Sequence, residues 1–204
     1  MNIAIIGTGN VGGSLAQSWA EAGHQITLGV RDLQNFKGQD LLAHANITAS
    51  SIAEAAQQSE VILIAATPVA TASVASALGD VKGKVIIDAM NSLRAKPEGY
   101  EHSFEALEAL LPEADVVKCF NTTGFENMRN AQYGEEHADM FMAGDSDRAK
   151  EVAKALAKDC GFETCWDFGG SAQAGLLEQL AFCWINLAIF QGNGRNIAFK
   201  VLTR

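Results

Sequence analysis

Cysteine, histidine and basic side chains are all scarce in this chain, and each scarcity excludes a class of function. The four cysteines, Cys119, Cys160, Cys165 and Cys183, form neither a C-x-x-C redox pair nor the spacing of a zinc site. They read as free thiols of a cytoplasmic protein, and no metal is expected. Fifteen Lys and Arg face 24 Asp and Glu, a formal net charge of −9. Such an acidic surface disfavours nucleic acid and anionic membranes as partners. Charged residues make up 19% and hydrophobic ones 48%, so the chain can bury a core and is not disordered. The N-terminus lacks a basic n-region and a cleavage site. Cytoplasmic localisation follows as the expectation, and the sequons at Asn46 and Asn121 read as chance matches.

What the chain does have comes first. Ile3–Ile6 is a short apolar strand, and Gly7, Gly9 and Gly12 follow it as G-x-G-x-x-G. Gly7 permits a tight reversal, Gly9 lets the backbone approach a pyrophosphate, and Gly12 lets a helix lie close on the strand. The helix N-terminus offers free N–H groups and partial positive charge to phosphates. Gly7, Thr8, Gly9, Asn10, Val11 and Gly12 are therefore candidate cofactor-binding residues.

Hydrophobic periodicity predicts a helix over 10–22, strands at 25–30, 46–48, 61–66, 84–88 and 115–120, and helices at 51–58, 69–78 and 103–111. Ser51 with Glu54 reads as a capping box. This alternation is that of an α/β fold, a Rossmann doubly wound parallel sheet. Residues 1–122 form the expected dinucleotide-binding domain. Residues 123–204 form a small C-terminal α/β extension with strands at 138–143 and 162–167, a helix at 146–160 and a long apolar helix from 172 to about 191. Between Leu176 and Phe190 only Glu178, Gln179 and Asn186 are polar. A helix so apolar all round is expected to be buried, in the core and in a homodimer interface, and it reads as too short and interrupted to span a membrane.

Ligands bind beyond the carboxyl ends of such strands. Here those ends carry Gly7–Val11, Gly29–Asp32, Ala65–Pro68, Ala89–Asn91 and Asn121–Gly124. Strand two ends near Gly29 or Val30, and Arg31 follows, a residue that pairs bidentately with the ribose 2′-phosphate of NADP. Asp32, 20 residues after Gly12, sits at about the spacing of an NAD-type acid, but it is read as beyond the strand tip and turned to solvent. NADP(H) is the favoured cofactor and NAD the alternative. His24, His44, His102 and His137 all fall away from the strand tips, no Y-x-x-x-K pair exists, and Lys118 lies within strand six. No catalytic side chain is assigned. Uncharged tips suit hydride transfer between two flat cofactors, which needs stacking and water exclusion more than a general acid. They equally suit a non-catalytic NADP-binding sensor or partner module.

Gly7–Gly12, Gly29-Val30-Arg31, Thr67-Pro68, Lys118-Cys119-Phe120-Asn121-Thr122 and the last helix together resemble the coenzyme F420-dependent NADP oxidoreductase family. The resemblance implies a compact Rossmann domain, a small C-terminal domain and a homodimer. It implies hydride transfer between NADPH and the 5-deazaflavin F420, with a small-molecule redox acceptor as partner. A related cytoplasmic domain in six-transmembrane metalloreductases passes NADPH electrons to flavin, so FMN or FAD is a second implied acceptor. Carried over, Thr8–Val11 match the pyrophosphate turn, Arg31 the 2′-phosphate arginine, and Ala66, Thr67 and Pro68 the loop beside the nicotinamide. Asn91 joins them at the cofactor, and Asn121 and Thr122 line the acceptor site. Asn121 stands where the archaeal enzymes have a histidine. Val30 replaces a frequent serine, and Asp32 a second basic residue.

Overall fold

A computed structural model describes residues 1–204. Alternate side chains of the opening strand enter two different cores. In β1 (Asn2–Ile6), Ile3 and Ile5 pack with α1 (Asn10–Glu21) on one face, while Ala4 and Ile6 join the cluster on the other. A strand covered on both faces must be apolar throughout, and β1 is so from Ile3 onward.

Around it run β2 (Gln25–Val30), β3 (Ile47–Ser51), β4 (Val61–Ile64), β5 (Val85–Asp88) and β6 (Asp115–Cys119). These six are parallel in the order β3-β2-β1-β4-β5-β6, and Ile5 lies between Leu28 and Leu63. The helices α2 (Ile52–Gln58), α3 (Thr71–Leu78) and α4 (Ser103–Leu110) cover the Ala4 face. At the start of α2, Ser51 Oγ accepts the Glu54 N–H and the Glu54 carboxylate accepts the Ser51 N–H, the expected reciprocal cap.

The third strand is longer than the periodicity predicts, reaching Ser51, because its register with β2 continues to the Val30–Ser51 pair. The segment after 121 contains a short helix, α5 (Phe125–Arg129), followed by a small hairpin of β7 (Gln132–Tyr133) and β8 (Glu136–His137). β9 (Met140–Ala143) then adds antiparallel to β6, and beyond α6 (Asp147–Asp159) β10 (Cys165–Asp167) pairs parallel to β9. Eight strands thus form one sheet.

The last helix, α7 (Ala174–Ile185), continues into a π-helical turn at Asn186–Phe190. Its apolar residues are divided between two faces. Leu177, Glu178, Ala181, Trp184 and Ala188 form a buried stripe, but Leu176, Phe182, Leu187, Ile189 and Phe190 are 40–53% exposed. One correction concerns the membrane. By length and composition the stretch Ser171–Phe190 is apolar enough to cross a bilayer. What ties it to the sheet is the buried stripe.

The tail after Gln191 runs back over the molecule as a strap. Ile197 O accepts from Trp184 Nε1 and Asn127 Nδ2, both at 2.8 Å. Buried Asp139 is its anchor. The carboxylate accepts Thr164 N at 3.2 Å, Trp166 Nε1 at 2.8 Å and Val201 N at 2.8 Å. Asp139→Ala strands three donors, so a loss of about 3 kcal/mol is expected in urea unfolding, together with faster proteolysis of the tail. A change within about 0.5 kcal/mol, the range of neutral surface substitutions, contradicts this anchoring role.

Candidate functional site

Two glycines of the opening turn are sterically enforced, and the third is free. Gly7 has φ +103°, and a Cβ there would lie 2.5 Å from Ala65 O at the exit of β4. A Cβ on Gly12 would lie 1.9 Å from Gly7 O. Gly9 caps α1 without a side chain, and a Cβ on it would meet nothing within 4 Å. The space before the helix N-terminus is therefore open, and no acidic residue in the first turn neutralises its positive end. Thr8, Asn10 and Val11 complete this turn. Its shape fits a dinucleotide pyrophosphate, because a small backbone cradle faces unneutralised N–H groups.

The loop after β2 folds over this turn. Lys37 Nζ donates to Asn10 Oδ1 at 2.9 Å, which sets a cation over the helix N-terminus. The sequence reading missed Lys37 because nothing in its neighbourhood forms a motif. β2 ends at Val30, and Arg31 is the next residue and solvent-exposed. Asp32 is exposed as well, and its Oδ1 accepts the Gln34 N–H at 2.9 Å. That turns its carboxylate into its own loop. Across the cleft, Ala66 and Pro68 are half-buried and Thr67 is exposed. Pro68 opens a 3-10 turn closed by Thr71 Oγ1 donating to Pro68 O at 2.7 Å, which stiffens this wall.

Asn91 and Asn121 meet. Asn91 Nδ2 donates to Asn121 O at 3.0 Å, and Asn121 Nδ2 donates to Asn91 Oδ1 and to Leu177 O, both at 3.1 Å. Asn121 is 3% exposed and Thr122 1%, with Thr122 Oγ1 against Met140 Sδ at 3.7 Å. The side chains expected to line the acceptor site are thus turned inward, and Asn121 ties half-buried Asn91 to α7. Asn121 Oδ1 is enclosed without a donor. One residue earlier, buried Phe120 has φ +69°, the one non-glycine residue with positive φ. Its ring meets Trp19 edge-on at 5.5 Å. Backbone strain therefore sits at the carboxyl tip of β6.

Sequence reading also passed over Lys118 as a mid-strand residue. It is fully buried, opposite Asp88 in the β5–β6 ladder. Its Nζ lies 2.9 Å from Asp88 Oδ2, Met90 O and Glu178 Oε1 of α7. Contact with Glu178 is an ion pair of poor hydrogen-bond angle, so that oxygen has only the ammonium as partner. Asp88 also accepts Ser103 Oγ at 2.7 Å and Met90 N at 2.9 Å, and Glu178 Oε2 accepts Ser92 N at 2.9 Å. Burial pushes the Lys118 proton off, but the two carboxylates outweigh it and hold the pKa above its ordinary value. A signal was present, since the apolar runs Val85–Ile87 and Val116-Val117 each end in a single charge of opposite sign.

None of the histidines enters the cleft. His24 bonds Asp159 at 2.8 Å, His102 caps α4, His44 accepts Asn46 N, and His137 Nδ1 bonds Gly161 O. Burial pushes the Cys160 thiol up to about 12 and raises that of Cys119 well above its ordinary value, so both are inert as nucleophiles. A hollow of about 340 Å³ lies at the amino end of β6, among Glu108, Asp115 and Asp145.

The turn geometry gives a paired test. Gly9→Ala should leave the unfolding midpoint unchanged and weaken NADPH binding at least about tenfold by filling the pyrophosphate space. Gly12→Ala should fail to reach wild-type stability at all. Unchanged NADPH affinity in folded Gly9→Ala contradicts the cradle.

A family profile described as NADP oxidoreductase, coenzyme F420-dependent, matches residues 2–92. Metalloreductase STEAP3 of Rattus norvegicus is 26% identical over 179 residues, which cover 87% of this chain. The match spans only 36% of that longer relative. A solved structure from Arthrobacter sp. FB24, provisionally described as an F420-dependent NADP-reductase, superimposes with a TM-score of 0.87 at 26% identity. It covers 100% of both chains. The reductive aminase of Aspergillus terreus, solved with NADPH and ethyl levulinate, shares the fold at 18% identity, with a TM-score of 0.70 over 94% of this chain and 62% of its own. Residues 2–92, with their glycine cradle and the Arg31 edge, are thus similar to the coenzyme F420-dependent NADP oxidoreductase family.

Proposed function

We propose that this protein is an NADP-dependent oxidoreductase that transfers hydride between NADP(H) and a flat acceptor, the deazaflavin F420 or a flavin. One observation carries the reading: the carboxyl edge joins a dinucleotide cradle to strand tips with no free acid or base. Asp88, Lys118 and Glu178, which hold the backbone on either side of Asn91, are spent on one another. Such a site positions and shields, and does not move substrate protons. When bound, NADP(H) supplies the hydride. The Gly7–Gly12 turn would hold the pyrophosphate, Arg31 the 2′-phosphate, and Ala66–Pro68 with Asn91 the nicotinamide end. Asn121 and Thr122 support this floor from beneath. The names of two relatives, an F420-dependent NADP-reductase and a metalloreductase, add support.

The exposed face of α7 completes the reading as a homodimer contact. Leu176, Phe182, Leu187, Ile189 and Phe190 lie on it, and Phe182 and Phe190 stack edge to face at 6.3 Å. Aromatic anchors of this kind dominate interface energies.

NADPH oxidation followed with F420, FMN, FAD and a ferric chelate tests the reaction. Turnover is expected with a flavin-type acceptor, and turnover with none favours the non-catalytic binding module. In the same assay Arg31→Ala should weaken NADPH about 10- to 150-fold and leave NADH nearly unchanged, the range of a charged hydrogen bond worth about 1.5–3 kcal/mol. Asp32→Ala should tighten NADPH slightly. Strong loss of NADH in Asp32→Ala, with Arg31→Ala silent, reverses the preference to NAD.

Scattering at micromolar concentration should give a dimer, and Phe182→Glu a folded monomer. A monomeric wild type rejects the interface.

A further inference from the structure

The Asp88–Lys118–Glu178 cluster has an unbalanced charge. Two carboxylates share one ammonium. Every neighbour within hydrogen-bond distance of the two carboxylates is a donor: Ser103 Oγ and Met90 N on Asp88, Ser92 N on Glu178, and Lys118 on each. Asp88 and Lys118 are 0% exposed and Glu178 5%. The other buried charges stand elsewhere. Asp139 serves the tail, and Lys150 pairs with Asp167 at 3.0 Å. One net negative charge is thus sealed behind the cleft.

Its position is set by two backbone contacts. Lys118 holds Met90 O and Glu178 holds Ser92 N, the residues on either side of Asn91. The charge therefore backs the residue assigned to the nicotinamide end. That end changes charge during the reaction, since loss of a hydride leaves the oxidised ring one unit more positive than the reduced one.

We propose that Glu178 and Asp88 are specificity-determining residues that make the cleft favour the oxidised over the reduced dinucleotide, biasing the protein toward hydride donation from NADPH. The inference rests on the NADP(H) reading above. Electrons balance in the ordinary way: NADPH gives up a hydride, and the flavin-type acceptor takes it. In a medium of effective dielectric constant about 20, a unit charge lying roughly 10 Å from the ring would discriminate the two redox states by about tenfold. Because the charge is buried, added salt screens it little. The 2′-phosphate is common to both redox states and cancels from their ratio.

Isothermal titration of the full chain with NADP+ and NADPH, at low and high salt, tests this. Glu178→Gln keeps the shape and neutralises the cluster, so Kd(NADP+)/Kd(NADPH) should rise about tenfold. Glu178→Asp keeps the charge and should leave the ratio within about twofold of wild type, even where stability falls. Loss of packing alone weakens both redox states together and does not move the ratio. If Glu178→Gln does not fold, Asp88→Asn carries the same expectation. An unchanged ratio in the folded neutral variant overturns the proposal, as does an equal shift in Glu178→Asp. A wild type that binds neither nucleotide instead overturns the cofactor assignment, and this inference with it.

Discussion

Burying two carboxylates and an amine is costly, and here the cost is met at the junction between the two parts of the chain. Asp88 ends β5, Lys118 lies beside it on β6, and Glu178 arrives from α7, some sixty residues later. Desolvating these groups is repaid only with the full set in place, and removing one partner of such a cluster typically costs about 3–5 kcal/mol. The contact therefore fixes α7 in one position on the sheet. It also fixes the Met90–Ser92 loop, since the same charges hold that backbone. The carboxyl-edge cleft and the last helix are one mechanical unit for this reason.

The cleft is built mostly from backbone. Steric exclusion at Gly7 and Gly12 brings the β1 turn against the exit of β4 and leaves room before α1. On the far side, the strained Phe120 and the enclosed Asn121 amide turn polar groups inward to meet Asn91 and Leu177. Side chains that looked suited to touch an acceptor instead serve as supports. Lys37 from the β2 loop brings positive charge to the cradle, and the tips at Ala66–Pro68 and Asn91 are uncharged, a distribution suited to stacking and anion binding.

The last helix divides its apolar residues between two tasks. Its buried stripe closes the edge of the sheet near β9, with Leu177 against Phe141 and Ala143. Its outer face stays uncovered within one chain, and the tail crosses beside it, pinned by Trp184, Asn127 and Asp139. Hydrophobicity read along the sequence reports the sum of these tasks and cannot separate them. A residue awaiting a partner is as apolar as one in a core.

By itself the sequence determined the alternation of strands and helices that makes a parallel sheet, the glycine cradle and the place of Arg31 just after β2. All of these follow from local periodicity, steric demands of single residues, or spacing within one βαβ unit. The reciprocal cap of Ser51 and Glu54 was legible for the same reason, since its partners are three residues apart. Tertiary structure alone decided the rest. Joining β9 and β10 to the sheet, meeting Lys118 with Glu178, and turning Asn121 and Thr122 inward all depend on residues far apart in the chain. Their energies come from burial and charge pairing, which exist only once the chain has folded.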